Sequence, residues 1–462
     1  MAKELKNNTD EAQQTEANVT PAAAEQETTA EVVVADEVIE TPEKAEEPKQ
    51  PWLVIVMVLL MRLVVGGVFV FSGFVKSIDP WGSYYKFNEY FQVFGWESLL
   101  GLSMFFAFAL AAFEFILGVL LVTGSCRRVA PLCATAFMLV MTPLTLWLAV
   151  TDAVPDCGCF GDYLILSNWA TFGKNVALLA GCVYLLVLNT RVRSIYGPAV
   201  QWMVMALSFI FVMFNLFSGY LTQPLLDFRP YKIGTKLVSN ATSSTDADYL
   251  FIYEKDGEQR EFALDSVPDD DSGWNYVNRR TVKKPQQSLP KDGLTIAAWD
   301  NGDDMSDSLL MHDQLLLILI PDMDKVSIAY TFRINELQTY ADKLGCAVAA
   351  LTSGTDEEIA EWNDIAMAHY PIYNADDSEI KMIARGNPAV VYVNDGKIVW
   401  KRTLMSIDPE IIHREEVTIA QIGDNVQEAD VLRHNVLAYL FCMAVVLLVN
   451  RTHLVFRRKK KE

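Results

Sequence analysis

The sequence predicts an α-helical membrane bundle of six spans joined to an external α/β domain. Of the 462 residues, 51% are hydrophobic and only 21% are charged, whereas soluble domains carry about a quarter charged residues. The apolar excess lies in six long runs, each near the length of about 20 residues that crosses a bilayer. Between the fifth and sixth runs lie about 210 residues in which strand and helix patterns alternate. A purely soluble protein is therefore excluded.

The six predicted spans are flanked by basic residues that define an orientation. The spans run approximately over residues 52–75, 99–122, 129–150, 168–188, 200–221 and 434–454. Basic residues lie between spans two and three (Arg127, Arg128), between spans four and five (Arg191, Arg193) and after span six (residues 457–461). Because basic loops stay in the cytosol, both termini are predicted to be cytosolic. The loop of residues 151–167 and the segment of residues 222–433 are then outside.

Charge and composition divide the chain further. The net charge of −20 argues against a nucleic-acid partner, since phosphate binding needs clustered Lys and Arg. Residues 1–50 contain 13 acidic residues against 4 lysines and few large apolar ones, which predicts a disordered acidic cytosolic tail. The remaining predicted units are a membrane domain (51–225), a β-hairpin and linker (226–290), an α/β domain (291–432), a C-terminal span (433–456) and a basic cytosolic tail (457–462).

Two charged residues, Arg62 and Glu114, lie deep inside predicted spans, where an ionisable side chain is expensive and normally faces a partner. Counted from the cytosolic ends of their spans at 1.5 Å per residue, their depths are similar, about 15 and 12 Å. The sequence therefore predicts a structural ion pair between them. A proton or quinone site is the alternative interpretation.

Of the seven cysteines, the predicted topology leaves one exposed pair. Cys157 and Cys159 lie in the segment Asp-Cys-Gly-Cys-Phe-Gly-Asp over residues 156–162, in a short loop on the predicted oxidising side, where disulfides form. A bridge between residues two apart pushes the Cα separation towards the upper end of the usual range of about 4.4–6.8 Å. Strained, exposed disulfides are more easily reduced, so the pair is predicted to exchange electrons.

Three interpretations of this pair are open. In the first, Cys157 and Cys159 form a catalytic redox relay and Lys174, near the same membrane face, stabilises a thiolate. In the second, a static disulfide tightens the loop. The third, a metal site, is disfavoured because zinc takes about four ligands and none of the five histidines lies beside the loop, so no metal is predicted. No cofactor is evident; a quinone is possible, although no motif supports one.

The membrane domain resembles the DoxX/MauE family of redox-associated bacterial membrane proteins. The resemblance is carried by residues 61–67 (MRLVVGG), residues 72–80 (SGFVKSIDP), Glu114 with Gly118, the loop 156–162, and Lys174 with Asn175. It implies a helical bundle in the bacterial cytoplasmic membrane that supports thiol–disulfide exchange or protein maturation in the periplasm, often beside a thioredoxin-like partner. It also implies a link to methylamine metabolism, because MauE resembles an accessory factor for methylamine dehydrogenase, but no residue here selects that substrate.

The external segment begins with a predicted hairpin, residues 249–253 and 259–264 around an Asp256-Gly257 turn. After an acidic stretch, strands at 315–320, 346–351, 389–393 and 398–401 alternate with helices at 326–344 and 356–366. This order resembles a thioredoxin fold, in which Pro388 is the candidate cis-proline. The resemblance implies a Cys-x-x-Cys pair after the first strand, but residues 321–327 contain no cysteine.

Two functional hypotheses follow. In the first, the protein is a membrane thiol-redox relay, a possible thiol–disulfide oxidoreductase component, and the external domain presents or covers a periplasmic thiol or client protein. In the second, it is a non-enzymatic assembly or docking factor with a static disulfide. A transporter is a weaker third hypothesis, since only the Arg62 and Glu114 pair stands out among intramembrane polar residues.

Overall fold

The computed structural model describes residues 51–237, 249–255, 258–263, 275–281, 294–299, 302–412, 417–423 and 428–459. The predicted acidic tail over residues 1–50, the Asp256-Gly257 turn and residues 460–462 of the basic tail lie outside the described residues.

All six predicted spans are helices long and apolar enough to cross a membrane. The first five are α1 (Trp52–Ile78), α3 (Ser103–Thr123), α4 (Val129–Thr151), α5 (Asn168–Leu188) and α6 (Gln201–Leu221), and α2 (Pro80–Val93) lies between the first two. The sequence-based prediction missed α2, which is short and rich in polar and aromatic residues. Asp79 caps its first turn by accepting the N–H of Gly82, and Pro80 at the first helical position is compatible with a helix start.

Helices α1 and α3 pack closely because glycines face the partner backbone. A Cβ at Gly118 would overlap the backbone of Val70, and one at Gly73 would overlap the backbone of Phe115. The two helices are antiparallel, and these contacts fix their register. Each residue of α1 faces the residue of α3 whose number brings the sum of the two to about 188, as in the pairs Val70–Gly118 and Gly73–Phe115. Residue 114 therefore faces residue 74, well along α1 from Arg62.

A small antiparallel sheet follows the fifth span, with β1 (Tyr249–Lys255), β2 (Glu258–Ala263) and β3 (Asn275–Thr281) in the order β2-β1-β3. The predicted hairpin is present as β1 and β2. The interpretation of the following stretch as a linker is wrong for residues 275–281, since β3 pairs with β1. The segment that forms β3 is short and contains mostly polar residues, so the sequence did not indicate a strand there.

The second part of the external segment is an α/β domain around a six-stranded sheet. Its elements are β4 (Ile296–Ala298), α7 (Ser306–Leu310), β5 (Gln314–Ile320), α8 (Ala329–Lys343), β6 (Ala347–Thr352), α9 (Asp356–Ala366), β7 (Ile372–Ala375), α10 (Asp377–Ile383), β8 (Ala389–Asn394), β9 (Lys397–Thr403), α11 (Pro409–Ile412) and α12 (Ile419–Ile422). The last span follows as α13 (Glu428–Lys459). The sequence did not predict β4, β7 or α10, which are short.

The strand order is β4-β7-β6-β5-β8-β9. Within it, β5 and β6 are parallel, β8 pairs antiparallel with β5, and β9 pairs antiparallel with β8, so the domain has a thioredoxin-like fold. The central strand β5 is buried along six consecutive residues. Successive residues of β5 belong to different cores, one on each face of the sheet: Leu316 is in the first and Leu317 in the second. This is the pattern expected of a strand that is covered on both sides.

Candidate functional site

Cys157 and Cys159 are joined by a disulfide, with their Cα atoms 5.6 Å apart. This separation is the commonest one for disulfides rather than the wide one predicted from the spacing. The loop folds tightly because Gly158 has a φ of +64°, which favours glycine, and because Asp156 Oδ1 accepts the Gly158 N–H at 2.8 Å. Both cysteines are half-buried rather than exposed, since the loop folds back onto the helices.

The main chain of the loop is fixed to the helices at both cysteines. The Tyr90 hydroxyl of α2 donates to the Cys157 carbonyl at 3.3 Å. The Lys76 ammonium, near the end of α1, donates to the Cys159 carbonyl at 2.6 Å, and the Ser72 hydroxyl lies 2.6 Å from the same oxygen. The disulfide is therefore held at a defined position against the bundle.

Lys76 is also the ion-pair partner of Glu114, with Nζ 2.8 Å from Oε2. The Ser72 hydroxyl lies 2.8 Å from the same carboxylate oxygen, and all three side chains are buried. The sequence analysis missed this role of Lys76 because it ended the first span at residue 75, whereas α1 continues to Ile78. The sequence feature that could have indicated this role is the spacing of Ser72 and Lys76, which are four residues apart and so lie on one face of a helix.

The predicted ion pair between Arg62 and Glu114 is wrong. Arg62 donates to Asn189 Oδ1 at 2.6 Å and to the carbonyls of Asn189, Val192 and Arg193 at 2.9–3.1 Å. The predicted depths of Arg62 and Glu114 were similar because they were counted from the predicted span ends, Trp52 and residue 122. The alignment of α1 with α3 is instead set by the glycine contacts, which place Glu114 opposite residue 74. Arg62 thus anchors the connection after α5, at the opposite end of α1 from the disulfide.

A cavity of about 240 Å³ lies beside the disulfide, and the segment from Cys157 to Phe160 forms part of its wall. Residues of α1 to α5 form the rest, and the lining is mainly apolar, with aromatic rings that include Phe87, Phe91, Phe94 and Phe137. Four of the helices that line it, α1, α3, α4 and α5, are long and apolar enough to cross a membrane. The pair thus faces a cavity within the bundle.

Lys174 lines the same cavity, so the structure brings it together with the two cysteines, as the sequence suggested. Its ammonium lies 4.5 Å from the centroid of the Phe160 ring, a geometry that stabilises a cation. Within the described part of the chain its Nζ has no hydrogen-bond acceptor. Lys174 is therefore a hydrogen-bond donor available to a group in the cavity.

A second lysine, Lys86 of α2, holds the start of the loop. Its Nζ is 3.0 Å from Asp156 Oδ2 and 3.0 Å from Glu89 Oε2. Burial acts to lower the pKa of Lys86, but the two carboxylates outweigh burial and raise it. The ammonium is therefore charged at physiological pH, and it ties the loop to α2.

The thioredoxin-like domain contacts this loop through Arg385. The guanidinium bonds to Asp79, with Nη2 2.9 Å from Oδ2, and to Asp162, at the end of the loop. Arg385 is buried, and burial acts to lower its pKa, but Asp79 and Asp162 outweigh burial and raise it. The Gln223 amide, after α6, adds two hydrogen bonds to the main chain of Arg385, at 2.6 and 3.0 Å.

The end of the domain that faces the bundle corresponds to the active-site end of a thioredoxin fold. The Asn387–Pro388 bond is cis, the geometry the sequence indicated for Pro388. Asn387 Nδ2 donates to the Asp322 carbonyl at 2.6 Å, and Asp322 lies where a thioredoxin pair would begin. The cysteine of the domain, Cys346, is 2% exposed, and burial raises the pKa of its thiol to about 11. The described domain therefore has no reactive thiol of its own.

A buried charge cluster anchors the entry into the domain. Asp227 Oδ1 is 2.8 Å from Arg229 Nε, and Asp227 Oδ2 accepts a bond from the Lys401 ammonium on β9. Burial acts to raise the pKa of Asp227, but the two cations outweigh burial and lower it to about 2. The segment after α6 is thereby attached to the sheet of the domain.

Comparisons with known proteins cover separate parts of the chain. A family model described as methylamine utilisation protein MauE matches residues 53–188, which include α1 to α5 and the Cys-Gly-Cys loop. A family described as a domain of unknown function (DUF8463) matches residues 247–284, the small sheet. No curated protein matches the chain.

Among solved structures, one match comes from a study of alkyl peroxide reduction by the bacterioferritin comigratory protein of Xanthomonas campestris. It covers 32% of this chain and 90% of that chain, with 11% identity and a TM-score of 0.19. The thioredoxin-like fold is assigned here from the strand order and the cis-proline.

Proposed function

We propose that this chain, a MauE-like membrane protein with a thioredoxin-like domain, is a thiol–disulfide relay in which Cys157 and Cys159 are the exchanging pair. One observation carries the proposal. The disulfide lies in the wall of a cavity lined by membrane-capable helices, and its loop is bonded at Asp162 to Arg385 of the thioredoxin-like domain. A disulfide used only to brace the loop does not need this position between a cavity and a docking domain.

The exchange transfers two electrons. A thiolate of a partner protein attacks one sulfur of the Cys157–Cys159 bond, so that a mixed disulfide forms and the other cysteine leaves as a thiolate. A second thiolate of the partner then attacks the mixed disulfide. The partner becomes oxidised and the pair is reduced to two thiols. The Lys174 ammonium, in the same cavity wall, stabilises the leaving thiolate.

The location proposed for the exchange is the periplasmic side of the bacterial cytoplasmic membrane. The basic clusters between spans two and three, between spans four and five and after span six support cytosolic termini. On that topology the loop and the thioredoxin-like domain are both outside the cytosol, where thiols are oxidised.

The thioredoxin-like domain acts in this proposal as a docking module for a periplasmic thiol or client protein. It has no thiol where a thioredoxin pair would lie, and Cys346 is buried. Opening the contacts of Arg385 with Asp79 and Asp162 would expose the loop to a partner.

Single cysteine replacements in cells test the relay, because exchange passes through a mixed disulfide. We expect either Cys157→Ser or Cys159→Ser to accumulate a reductant-sensitive adduct visible as a mass shift, and the double variant to show none. Cys133→Ser, near the start of α4 and outside the cavity lining, serves as the matched control and should behave as the wild type.

A static disulfide in a membrane assembly factor is the second candidate. The observation that favours it is that both cysteine carbonyls are fixed by Tyr90, Lys76 and Ser72. Two results together would support the assembly factor: the wild-type pair stays oxidised in mild reductant, and neither single cysteine variant traps a partner.

A further inference from the structure

We infer that the cavity beside the disulfide binds a membrane-soluble quinone, which accepts the electrons of the Cys157–Cys159 pair. This inference rests on the proposed relay and names the oxidant that regenerates it. A relay that oxidises partners must itself be reoxidised after each cycle. The chain offers no second dithiol in the predicted external segments, since Cys346 is the only cysteine between α6 and α13 and is buried. The acceptor must therefore reach the pair from elsewhere.

The position of the cavity favours an acceptor dissolved in the lipid. Its walls are formed by α1, α3, α4 and α5, which are membrane-capable helices, and by α2. The thioredoxin-like domain contacts the loop at Asp162 through Arg385, and none of its described residues lines the cavity. A lipid-soluble molecule that enters between the helices thus meets the pair without displacing the domain. In the bacterial periplasm, thiols are kept oxidised by a system that passes their electrons to a membrane quinone.

The lining fits a planar ring with polar edges. Aromatic side chains including Phe87, Phe94 and Phe137 surround the space, and rings of this kind pack against planar groups. The volume of about 240 Å³ is sufficient for a single-ring head group, since an apolar cavity of about 150 Å³ holds benzene. Lys174 has no acceptor among the described residues, so its Nζ can donate a hydrogen bond to one quinone oxygen.

The reaction balances without a further reactant. The two thiols of the reduced pair lose two electrons and two protons, and the S–S bond forms. The quinone gains the two electrons and two protons, one proton on each carbonyl oxygen, and leaves as the hydroquinone. One quinone is consumed for each disulfide formed.

The test uses the purified full-length protein in lipid nanodiscs, reduced with dithiothreitol and desalted. Decylubiquinone is then added, and disulfide formation is followed by alkylation and mass, while hydroquinone is followed by absorbance. We expect equal amounts of both products in the wild type and neither in the Cys157→Ser, Cys159→Ser double variant. A parallel sample receives oxidised glutathione, a water-soluble oxidant.

A matched pair of substitutions on α4 locates the quinone. Leu144 lines the cavity, whereas Leu139 is 57% exposed on the outer surface of the bundle. We expect Leu144→Trp to slow oxidation by decylubiquinone at least about tenfold, equivalent to about 1.4 kcal/mol, while Leu139→Trp oxidises at the wild-type rate. Both variants should react with oxidised glutathione as the wild type does, and their circular dichroism spectra, compared with that of the wild type, show whether they are folded.

The outcomes separate this inference from the relay. A pair that exchanges with glutathione but is not oxidised by decylubiquinone, or equal rates for Leu144→Trp and Leu139→Trp, would overturn the quinone site alone. A pair that dithiothreitol cannot reduce would overturn the relay and the quinone site together.

Discussion

The Lys76 ammonium donates a 2.6 Å hydrogen bond to the carbonyl oxygen of Cys159. The same nitrogen is 2.8 Å from Glu114 Oε2 on α3. A buried ion pair between two spans therefore also fixes the position of the disulfide. Its loss should change both the folding of the bundle and the behaviour of the Cys pair.

Exchanging the charges of Lys76 and Glu114 tests this relationship. Lys76→Met alone leaves Glu114 buried without its partner, at a cost of about 3–5 kcal/mol, so we expect much less folded protein. The double variant Lys76→Glu, Glu114→Lys should restore part of the folded amount, measured by size-exclusion chromatography of the membrane extract. It should not restore redox behaviour, since a glutamate at 76 cannot donate to the Cys159 carbonyl.

The control for this prediction is the exchange Arg62→Glu, Glu114→Arg. Arg62 bonds to Asn189 and neighbouring carbonyls rather than to Glu114, so we expect no rescue over the single variants. Rescue by this second exchange, without rescue by the first, would contradict the register of α1 and α3.

The sequence predicted the six spans well, because long apolar runs and basic flanks are local signals. It also predicted strand β5 and the alternation of strands and helices after it, since a continuous apolar run indicates a strand buried on both faces. The partner of Glu114 was not predictable in the same way. It depends on the register of α1 against α3, which is set by the close contacts of Gly73 and Gly118, and single-residue counting from predicted span ends misplaced it.

The candidate site was predictable in part. The sequence indicated Cys157, Cys159 and Lys174, and the structure places all three in one cavity wall. No local pattern indicated that Arg385 reaches Asp162, because these residues are 223 positions apart and only the folded domain brings them together. The aromatic residues of α2 were missed because α2 is neither a span nor strongly amphipathic.

Replacing Arg385 should loosen the domain from the Cys-Gly-Cys loop. Arg385→Gln removes the charge that binds Asp79 and Asp162, and breaking a buried pair costs about 3–5 kcal/mol. We expect faster amide hydrogen exchange in the loop, for example at Gly161, whose N–H bonds to the Gly158 carbonyl at 3.2 Å. The exchange rate in Arg385→Lys should lie between those of the wild type and Arg385→Gln, because a lysine ammonium keeps the charge but lacks the planar guanidinium that can bond to two carboxylates at once.

The control for the docking prediction is Arg433→Gln, since the Arg433 side chain is 66% exposed. It should leave hydrogen exchange in the loop unchanged. Equal protection of the loop in the wild type and Arg385→Gln would show that the domain does not hold the loop.

The orientation proposed for the chain predicts the location of reporter fusions. Alkaline phosphatase fused after Leu166 or inserted at residues 257–260 should be active, because that enzyme needs an oxidising compartment to form its disulfides. Green fluorescent protein fused after Arg128 or Glu462 should be fluorescent in the cytosol. An inactive phosphatase after Leu166, with a fluorescent reporter at the same position, would place the loop in the cytosol and remove the basis for the relay.

Acid should weaken the attachment of the thioredoxin-like domain through Asp227. The pKa of this carboxyl is lowered from 3.8 to about 2 in the folded protein, because Arg229 and Lys401 outweigh the opposing effect of burial. A carboxyl with a lowered folded pKa stabilises the protein above its unfolded pKa and loses that effect as pH falls towards the folded pKa. The window is therefore about pH 4 to 2, and the effect is about 2 kcal/mol.

Thermal unfolding of the full-length wild type and Asp227→Asn over a range of pH measures this contribution. We expect the wild type to have the higher Tm from pH 7 to pH 5, and the difference to shrink as the pH falls below about 4. Asp313→Asn, at an exposed position before β5, is the matched control and should show no such pH-dependent difference. A difference for Asp227→Asn that stays constant down to pH 2 would mean that the carboxylate charge does not stabilise the contact with Lys401, and that the segment is held by its main-chain bonds instead.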